Sequence, residues 1–268
     1  MKIFINENEK IVNSTCTLFD AKDLFKKDAD ILIINGFPVQ ENKVLNENDR
    51  ITLIKKGEIP KEDELESLLI SRHTLGVYEK FKKGKVAIAG LGGLGSCIAI
   101  SLARSGVGTL LLIDYDVVEP SNLNRQYYFI KQIGKYKTDA LEEIIREVNP
   151  FIKVIKKTCY LDQYNMMEIL DNFPIIVEAF DDPKCKATLA NYVLTKDRKK
   201  YLISASGMAG CFSCNSIKTE KLRSRFYICG DKVSECKEGS GLMAPRVGVT
   251  ANHEANMVLR LLLNKEEA

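Results

Sequence analysis

Lys85-Val86-Ala87-Ile88-Ala89-Gly90-Leu91-Gly92-Gly93-Leu94-Gly95 is the stretch that decides the fold. Residues 85–89 are a short β-branched and apolar run, the signature of a strand buried on both faces. The run ends in Gly90-Leu91-Gly92-Gly93-Leu94-Gly95, a G-x-G-x-x-G turn. An apolar, helix-forming segment follows from about Gly93 to Ser105, and then a second buried-type strand over 109–114 that closes on Asp114. Glycines at this spacing allow a tight strand-to-helix turn and close backbone approach to phosphate. The helix amino terminus favours the negative charge, and an acidic residue at the end of the next strand accepts hydrogen bonds from ribose hydroxyls. No G-x-x-x-x-G-K-[ST] loop is present, which excludes a P-loop NTPase.

Outward from this unit the pattern keeps alternating. Strands are predicted at 153–156, 174–179 and 201–206, separated by helices near 137–148, 163–171 and 184–197, with a final helix over 251–263. Alternation of this kind predicts an α/β fold, a Rossmann-like mostly parallel sheet with helices on both faces. The first 58 residues read differently. Alternating strands at 2–6 and 10–13 flank a polar turn over 6–9, a short helix is predicted at 18–26, and Ile31-Leu32-Ile33-Ile34 and Arg50-Ile51-Thr52-Leu53-Ile54-Lys55 are further strands. That order is the order of a small β-grasp domain. A linker helix over 59–70 follows, with Pro60 at its start and Glu62, Asp63 and Glu64 complementing its dipole. The reading therefore divides the chain into 1–58, 59–70 and 71–268.

Composition narrows the function classes. Lysine and arginine number 39 against 36 acidic residues, a formal charge of +3, so no basic footprint for nucleic acid exists. No apolar run reaches the roughly 18 to 20 residues of a membrane-spanning helix, and the polar amino terminus lacks a signal-type apolar core. A cytoplasmic protein is expected. The eight cysteines are scattered, and only Cys211 and Cys214 form a C-x-x-C pair; Cys229 and Cys236 do not supply a matching second half. Structural zinc is accordingly not expected.

Beyond the glycine turn, Asp116, Asn122, Arg125, Gln126 and Lys137 lie close together in sequence. Two amides, a guanidinium fork and an ammonium near a phosphate-binding face suit a triphosphate that must release pyrophosphate. An NAD-binding dehydrogenase has the same glycines and the same Asp114, so this reading stays open beside the first.

These motifs also carry a resemblance. The Gly90–Gly95 turn, Asp114-Tyr115-Asp116, Asn122-Leu123-Asn124-Arg125-Gln126, residues 134–137 and Glu178-Ala179-Phe180-Asp181-Asp182 resemble the adenylation domain of the ubiquitin-activating superfamily, which includes ThiF, MoeB and HesA in bacteria. Ser71-Arg72-His73-Thr74-Leu75-Gly76 is similar to its amino-terminal arginine motif, and the ThiF type is the nearest within it. The resemblance implies ATP and Mg2+ as cofactors. It assigns the nucleotide to Gly90, Gly92, Gly93, Leu94, Gly95, Asp114 and Asp116, and the phosphates to Asn122, Arg125, Gln126 and Lys137. Asp181 would hold magnesium and help position the attacking carboxylate. Arg72 would complete the site of the opposite subunit in a homodimer. Asp182 replaces the usual asparagine of this segment, and Lys186 stands where arginine is common.

The implied reaction is ATP-dependent adenylation of the C-terminal glycine of a ThiS-like sulfur carrier ending in Gly-Gly, in thiamine thiazole synthesis. The first 58 residues resemble such a carrier, a ubiquitin-like fold. However, Lys55-Lys56-Gly57-Glu58-Ile59-Pro60 continues where a carrier would end, so Gly57 cannot be the attacking carboxylate. Residues 207–210 and Gly241-Leu242-Met243-Ala244-Pro245-Arg246 also resemble a ThiF subfamily. Cys185 and Cys229 are the candidates for a covalent carrier adduct, and a buried structural thiol is the plainer reading of each. His73 and His253 are expected to be structural. Alternatives are a molybdopterin-type or siderophore-related carrier, a tRNA base, or a non-catalytic nucleotide-binding module that recruits partners.

Overall fold

The computed structural model describes every residue except 61, 70, 72–75 and 198. It contains two compact units, Met1–Glu79 and Lys80–Ala268.

In the first unit, β1 (Lys2–Ile5), β2 (Asn8–Ile11), β3 (Ile31–Ile34), β4 (Phe37–Pro38) and β5 (Arg50–Ile54) form a five-stranded sheet in the order β2-β1-β5-β3-β4, with β1 and β5 parallel. The helix α1 (Leu18–Phe25) starts on a capping box, in which Thr17 and Asp20 each bind the other's backbone N–H. Ile3, Ile5, Leu18, Ala21, Leu32, Ile51 and Leu53 form the core between helix and sheet. The first turn is tighter than the sequence predicts. Asn6 and Glu7 alone make it, with φ of 45° and 64°, and Asn8 and Glu9 join β2. Asparagine tolerates the left-handed region, and two such residues give a hairpin turn whose twist matches the strands. The unit also holds α2 (Glu62–Leu69).

The second unit begins within α3 (Val77–Lys82), a helix the periodicity did not disclose. Its strands are β6 (Lys85–Ala89), β7 (Thr109–Ile113), β8 (Lys153–Lys157), β9 (Ile175–Glu178), β10 (Tyr201–Ala205), β11 (Lys218–Arg223) and β12 (Phe226–Gly230). They form a seven-stranded sheet in the order β11-β12-β10-β9-β6-β7-β8, parallel except for the edge strand β11. The helices are α4 (Gly93–Arg104), α5 (Lys137–Val148), α6 (Met166–Leu170), α7 (Pro183–Thr195) and α8 (Ala244–Leu262). Alternation along β6 and β7 divides the core. Val86, Ile88, Leu110 and Leu112 pack with residues of α4, α5 and α8, while Ala87, Ala89, Leu111 and Ile113 pack with residues of α6 and α7. The expected α/β fold is the fold observed.

Two features differ from expectation. The β11–β12 hairpin was not expected: β11 is polar and mostly charged, and β12 is a short apolar run of five residues beside it. The last helix begins at Ala244 rather than 251, because Pro245 occupies the first turn, where a missing N–H is harmless. Chain order reverses between β6 and β9. In an open parallel sheet such a switch leaves a crevice beyond the strand carboxyl ends. Here it opens between Gly90, after β6, and Asp181, after β9.

Candidate active site

A cavity of about 340 Å3 occupies that crevice. Gly90 is its hinge. Its φ is +92°, and a Cβ there would sit 2.7 Å from the Ala179 carbonyl oxygen, so only glycine lets the β6 loop lie against the end of β9. Gly92, Gly93 and Leu94 line the cavity at the amino terminus of α4. Gly95 does not. A Cβ on Gly95 would lie 1.9 Å from the Gly90 carbonyl oxygen, so its role is close packing of helix start on strand end.

Asp114 lines the cavity and is already oriented. Its carboxylate accepts from Leu91 N at 2.7 Å and from Asp116 N at 2.8 Å. Burial raises its pKa, an effect that Lys137 and the two backbone donors oppose. The chain from 115 to 136 makes an excursion and returns, closed by the bridge between Val117 and Tyr136. That closure seats Lys137 beside Asp116, with Nζ 2.8 Å from the carboxylate. Lys137 is buried, and both residues face the cavity. Arg125 reaches the cavity too, its guanidinium steadied by Asn124 Oδ1 at 2.9 Å and Ser121 O at 3.3 Å. Gln126 is buried with its Nε2 over Gly92, and its Oε1 has no partner among the described residues. Asn122 stands apart from the lining. It belongs to a 3₁₀ turn, where its Oδ1 accepts from Glu119 N at 3.1 Å. The structure thus gives Asn122 a turn-capping position behind Arg125 and Gln126 and not a place among the lining side chains.

Across the crevice, Asp181 is exposed and lines the cavity, and it makes no hydrogen bond with the described residues. Asp182 caps α7, accepting from Lys184 N at 2.6 Å. Lys186 also lines the cavity, but its Nζ is taken by both Glu178 oxygens, at 3.0 and 3.1 Å. Among the described residues no group of three or more His, Cys, Asp or Glu is arranged to hold a metal ion. Magnesium commonly needs only one or two carboxylates when substrate phosphates complete its shell. A solvent-facing Asp181 in a phosphate-sized cleft fits that donor set.

Several lining residues have no sequence signal. Tyr115 and Tyr160 stand with ring centroids 5.6 Å apart, and the Tyr160 hydroxyl lies 3.0 Å from Cys185 Sγ. Both tyrosines, Cys185, Cys159 and Cys236 line the cavity. Cys229 is fully buried in the core, and burial pushes its thiol well above the ordinary range. Of the two cysteine candidates, only Cys185 meets the cavity. Cys211 and Cys214 are exposed. His253 lies on α8 with Nδ1 3.0 Å from Thr219 Oγ1. Arg72 and His73 lie outside the described residues.

With this geometry in view, residues 66–268 match the family described as ThiF family, and residues 1–57 match ThiS-like ubiquitin. The chain belongs to the ThiF family. Among curated relatives of this ThiF-family chain is the adenylyltransferase and sulfurtransferase MOCS3 of Dictyostelium discoideum, 34% identical over 189 residues, covering 68% of this chain and 44% of that protein. Another is the adenylyltransferase and sulfurtransferase uba4 of Aspergillus niger, 38% identical over 130 residues, covering 48% of this chain and 27% of that protein. The chain spans less than half the length of either relative. Among solved structures, the tRNA N6-threonylcarbamoyladenosine dehydratase TcdA of E. coli in complex with ATP matches with a TM-score of 0.68 at 19% identity, over 78% of this chain and 98% of that one. E. coli MccB with MccA-N7isoASN matches at 0.58 and 23% identity, over 78% and 74%. At these identities the structural likeness establishes the fold of this ThiF-family domain. No described helix is long and apolar enough to cross a membrane.

Proposed function

We propose that this ThiF-family protein is an ATP-dependent adenylyltransferase acting on the C-terminal carboxylate of a ubiquitin-like sulfur carrier. The observation that carries this is the convergence of Arg125, Gln126, Lys137 and Asp181, from three separate parts of the chain, on one cavity with the glycine turn. A C-terminal carboxyl has a pKa of roughly 3.5 and arrives already ionised. The obstacle is therefore repulsion between two anions, not the making of a nucleophile. Lys137 and Arg125 offset that repulsion from a partly buried site, where charge acts more strongly than in water. Asp114 is held to receive ribose hydroxyls, and Tyr115, its neighbour, offers a ring to the base. Mg2+, when bound with the triphosphate, supplies further charge neutralisation, and Asp181 is the residue that would hold it. The carboxylate oxygen bonds to the α-phosphorus as the bond to pyrophosphate breaks, giving an acyl-adenylate.

A ThiS-like carrier in thiamine thiazole synthesis is the proposed substrate, supported by the fused ThiS-like domain. That domain is not itself the substrate, because Gly57 is followed by Glu58. We assign residues 71–268 the chemistry and residues 1–58 a part in docking, dimer geometry or regulation. A molybdopterin-type carrier is the second reading, favoured by the MOCS3 and uba4 likeness. Arg72 is proposed to complete the partner's cavity in a cytoplasmic homodimer.

The test is ATP–pyrophosphate exchange with purified ThiS-type and molybdopterin-type carriers. Exchange with the ThiS-type carrier that disappears in Asp181→Ala is expected. Exchange with neither carrier would sink the reading. For the dimer, mixing inactive Arg72→Ala with inactive Asp181→Ala should restore part of the activity, since one of the two sites in the mixed dimer regains both residues. No recovery under conditions where subunits exchange removes the shared site.

A further inference from the structure

Two segments set apart in sequence, 207–210 and 241–246, meet on the side of the cavity away from Asp114 and Lys137. Gly207, Met208 and Ala209 line that side with Ser234, Cys236 and Leu242, and none of these carries a charge. The wall is built backbone to backbone. Asp231 N donates to Gly207 O at 2.9 Å, Lys232 N to Ser206 O at 3.0 Å, and Gly210 N to Gly241 O at 2.8 Å. Gly207 has φ of +80°, and a Cβ there would lie 2.1 Å from Asp231 Oδ1 and 2.4 Å from Lys232 N, so no side chain is tolerated at that contact.

One side chain ties the chain around Ser213 and Asp231 to the start of α8 behind this wall. Arg246, at the start of α8, is 2% exposed. Its Nη2 donates to Asp231 Oδ2 at 2.5 Å and its Nη1 to Ser213 O at 2.7 Å, while its guanidinium lies over the Phe212 ring. Asp231 in turn accepts from Val233 N at 2.9 Å, from Ser234 N at 2.8 Å and from the Ser234 hydroxyl. Burial alone would raise the Asp231 pKa, but the Ser234, Val233 and Arg246 donors together bring it down to about 2. Val247, next to Arg246, lines the cavity and packs against the Gly93 position. The charged side of the cavity suits phosphates. The uncharged side, built of small and apolar residues, suits an extended chain that carries no charge before its terminal carboxylate.

We propose that Arg246 is a positioning residue: through Asp231 and Ser213 it holds the uncharged wall in the register that receives the partner's carboxylate-bearing tail, and so sets affinity for the tail and not for the nucleotide. The proposal rests on the adenylation reading given above. Arginine suits this place because its planar fork presents Nη2 to the Asp231 carboxylate and Nη1 to the Ser213 carbonyl in a fixed geometry, which the single flexible ammonium of a lysine does not pre-set.

The test uses the full chain with Mg·ATP and a ThiS-type carrier ending in Gly-Gly, comparing wild type with Arg246→Met, Arg246→Lys and Asp231→Asn. Expected is a tenfold or larger rise in KM for the carrier in Arg246→Met, with kcat and the Kd of ATP within twofold of wild type. Arg246→Lys should recover part of the loss. Asp231→Asn keeps an acceptor for the Val233 and Ser234 amides, but its Nδ2 replaces the oxygen that accepts from Arg246 and the Ser234 hydroxyl, so it breaks the Arg246 tie and reports on the wall even where Arg246→Met does not fold. Amide hydrogen exchange should quicken at 207–210 and 231–241 in the variants and stay unchanged at 90–95. An unchanged carrier KM in a folded Asp231→Asn or Arg246→Met overturns the proposal, as does a parallel fall in ATP affinity. Absence of exchange activity in the wild type instead removes the adenylation reading, and the proposal with it.

Discussion

Replacing Glu254 by glutamine should stabilise this protein at neutral pH. Glu254 lies on α8 with no solvent exposure, and neither carboxylate oxygen has a partner among the described residues. Its charged neighbours are Glu178 on β9 and Lys186 on α7, and the thiols of Cys229 on β12 and Cys97 on α4 are also within its field. The Lys186 ammonium already serves Glu178, whose carboxylate is further satisfied by the Ser204 hydroxyl. An ionised Glu254 would add an uncompensated charge to that site. Burial therefore raises its pKa well above the ordinary 4.5, repulsion from Glu178 adds to the shift, and Lys186 opposes it. The sign follows from linkage. With the folded pKa above the unfolded one, the stability contributed by the neutral acid is complete below about pH 4.5 and is lost as pH rises toward the folded value. At about 1.4 kcal/mol per pH unit, the interval from about 4.5 up to pH 7 sets an upper limit of about 3 kcal/mol on that loss. Glutamine does not titrate. Glu254→Gln should match the wild type near pH 4.5 and gain on it with rising pH, to a ceiling of about 3 kcal/mol at pH 7. Urea midpoints followed by circular dichroism between pH 4.5 and 7.5 give the difference directly. A variant less stable than wild type at pH 7, or a difference that does not change with pH, would show that Glu254 is ionised and paired.

The glycine turn yields a contrast. Gly95→Ala forces a Cβ into the Gly90 backbone and should cost about 1–3 kcal/mol or more together with nucleotide affinity, whereas the nearest non-adjacent atom to a Cβ on Gly92 among the described residues is Gln126 Nε2 at 3.8 Å. Gly92→Ala should therefore keep its thermal midpoint and lose ATP affinity by calorimetry, and equal stability losses in both would refute the distinction. Lys137→Met should lower kcat for pyrophosphate exchange by roughly 100- to 1000-fold, the scale of losing one preorganised charge donor, with a drop under threefold counting against its role. Cys185→Ala should abolish any covalent carrier adduct seen under non-reducing conditions, while Cys229→Ala should leave it intact; an adduct that survives Cys185→Ala would exclude that thiol.

The second unit was legible because its signals are local. A buried strand, a glycine turn and an acidic strand end each follow from a few adjacent residues, since backbone sterics and strand burial act over that range. Asp114, Arg125, Gln126 and Lys137 could be nominated by the same logic, being polar or charged residues with no core to fill. What failed to show were features whose reason lies elsewhere in the chain. Asn122 has the composition of a phosphate ligand, and only the 3₁₀ turn reveals that its Oδ1 accepts from Glu119 N and that it stands off the cavity lining. Gly95 fits the binding motif by spacing, yet the backbone of Gly90 is what requires it. The polar β11 strand is fixed by its pairing with β12 and by no pattern of its own.

Sequence alone determined the mostly parallel α/β sheet, the ubiquitin-like start and the glycine turn, because hydrophobic period and turn chemistry are written in neighbouring residues. Tertiary structure decided that Cys185 and not Cys229 faces the cavity, that neither Glu254 oxygen has a partner among the described residues, and how Arg246 ties Asp231 and Ser213 to α8 behind one wall. Those outcomes depend on burial and on distances between residues far apart in the chain, and such distances exist only once the sheet has brought its strand ends together.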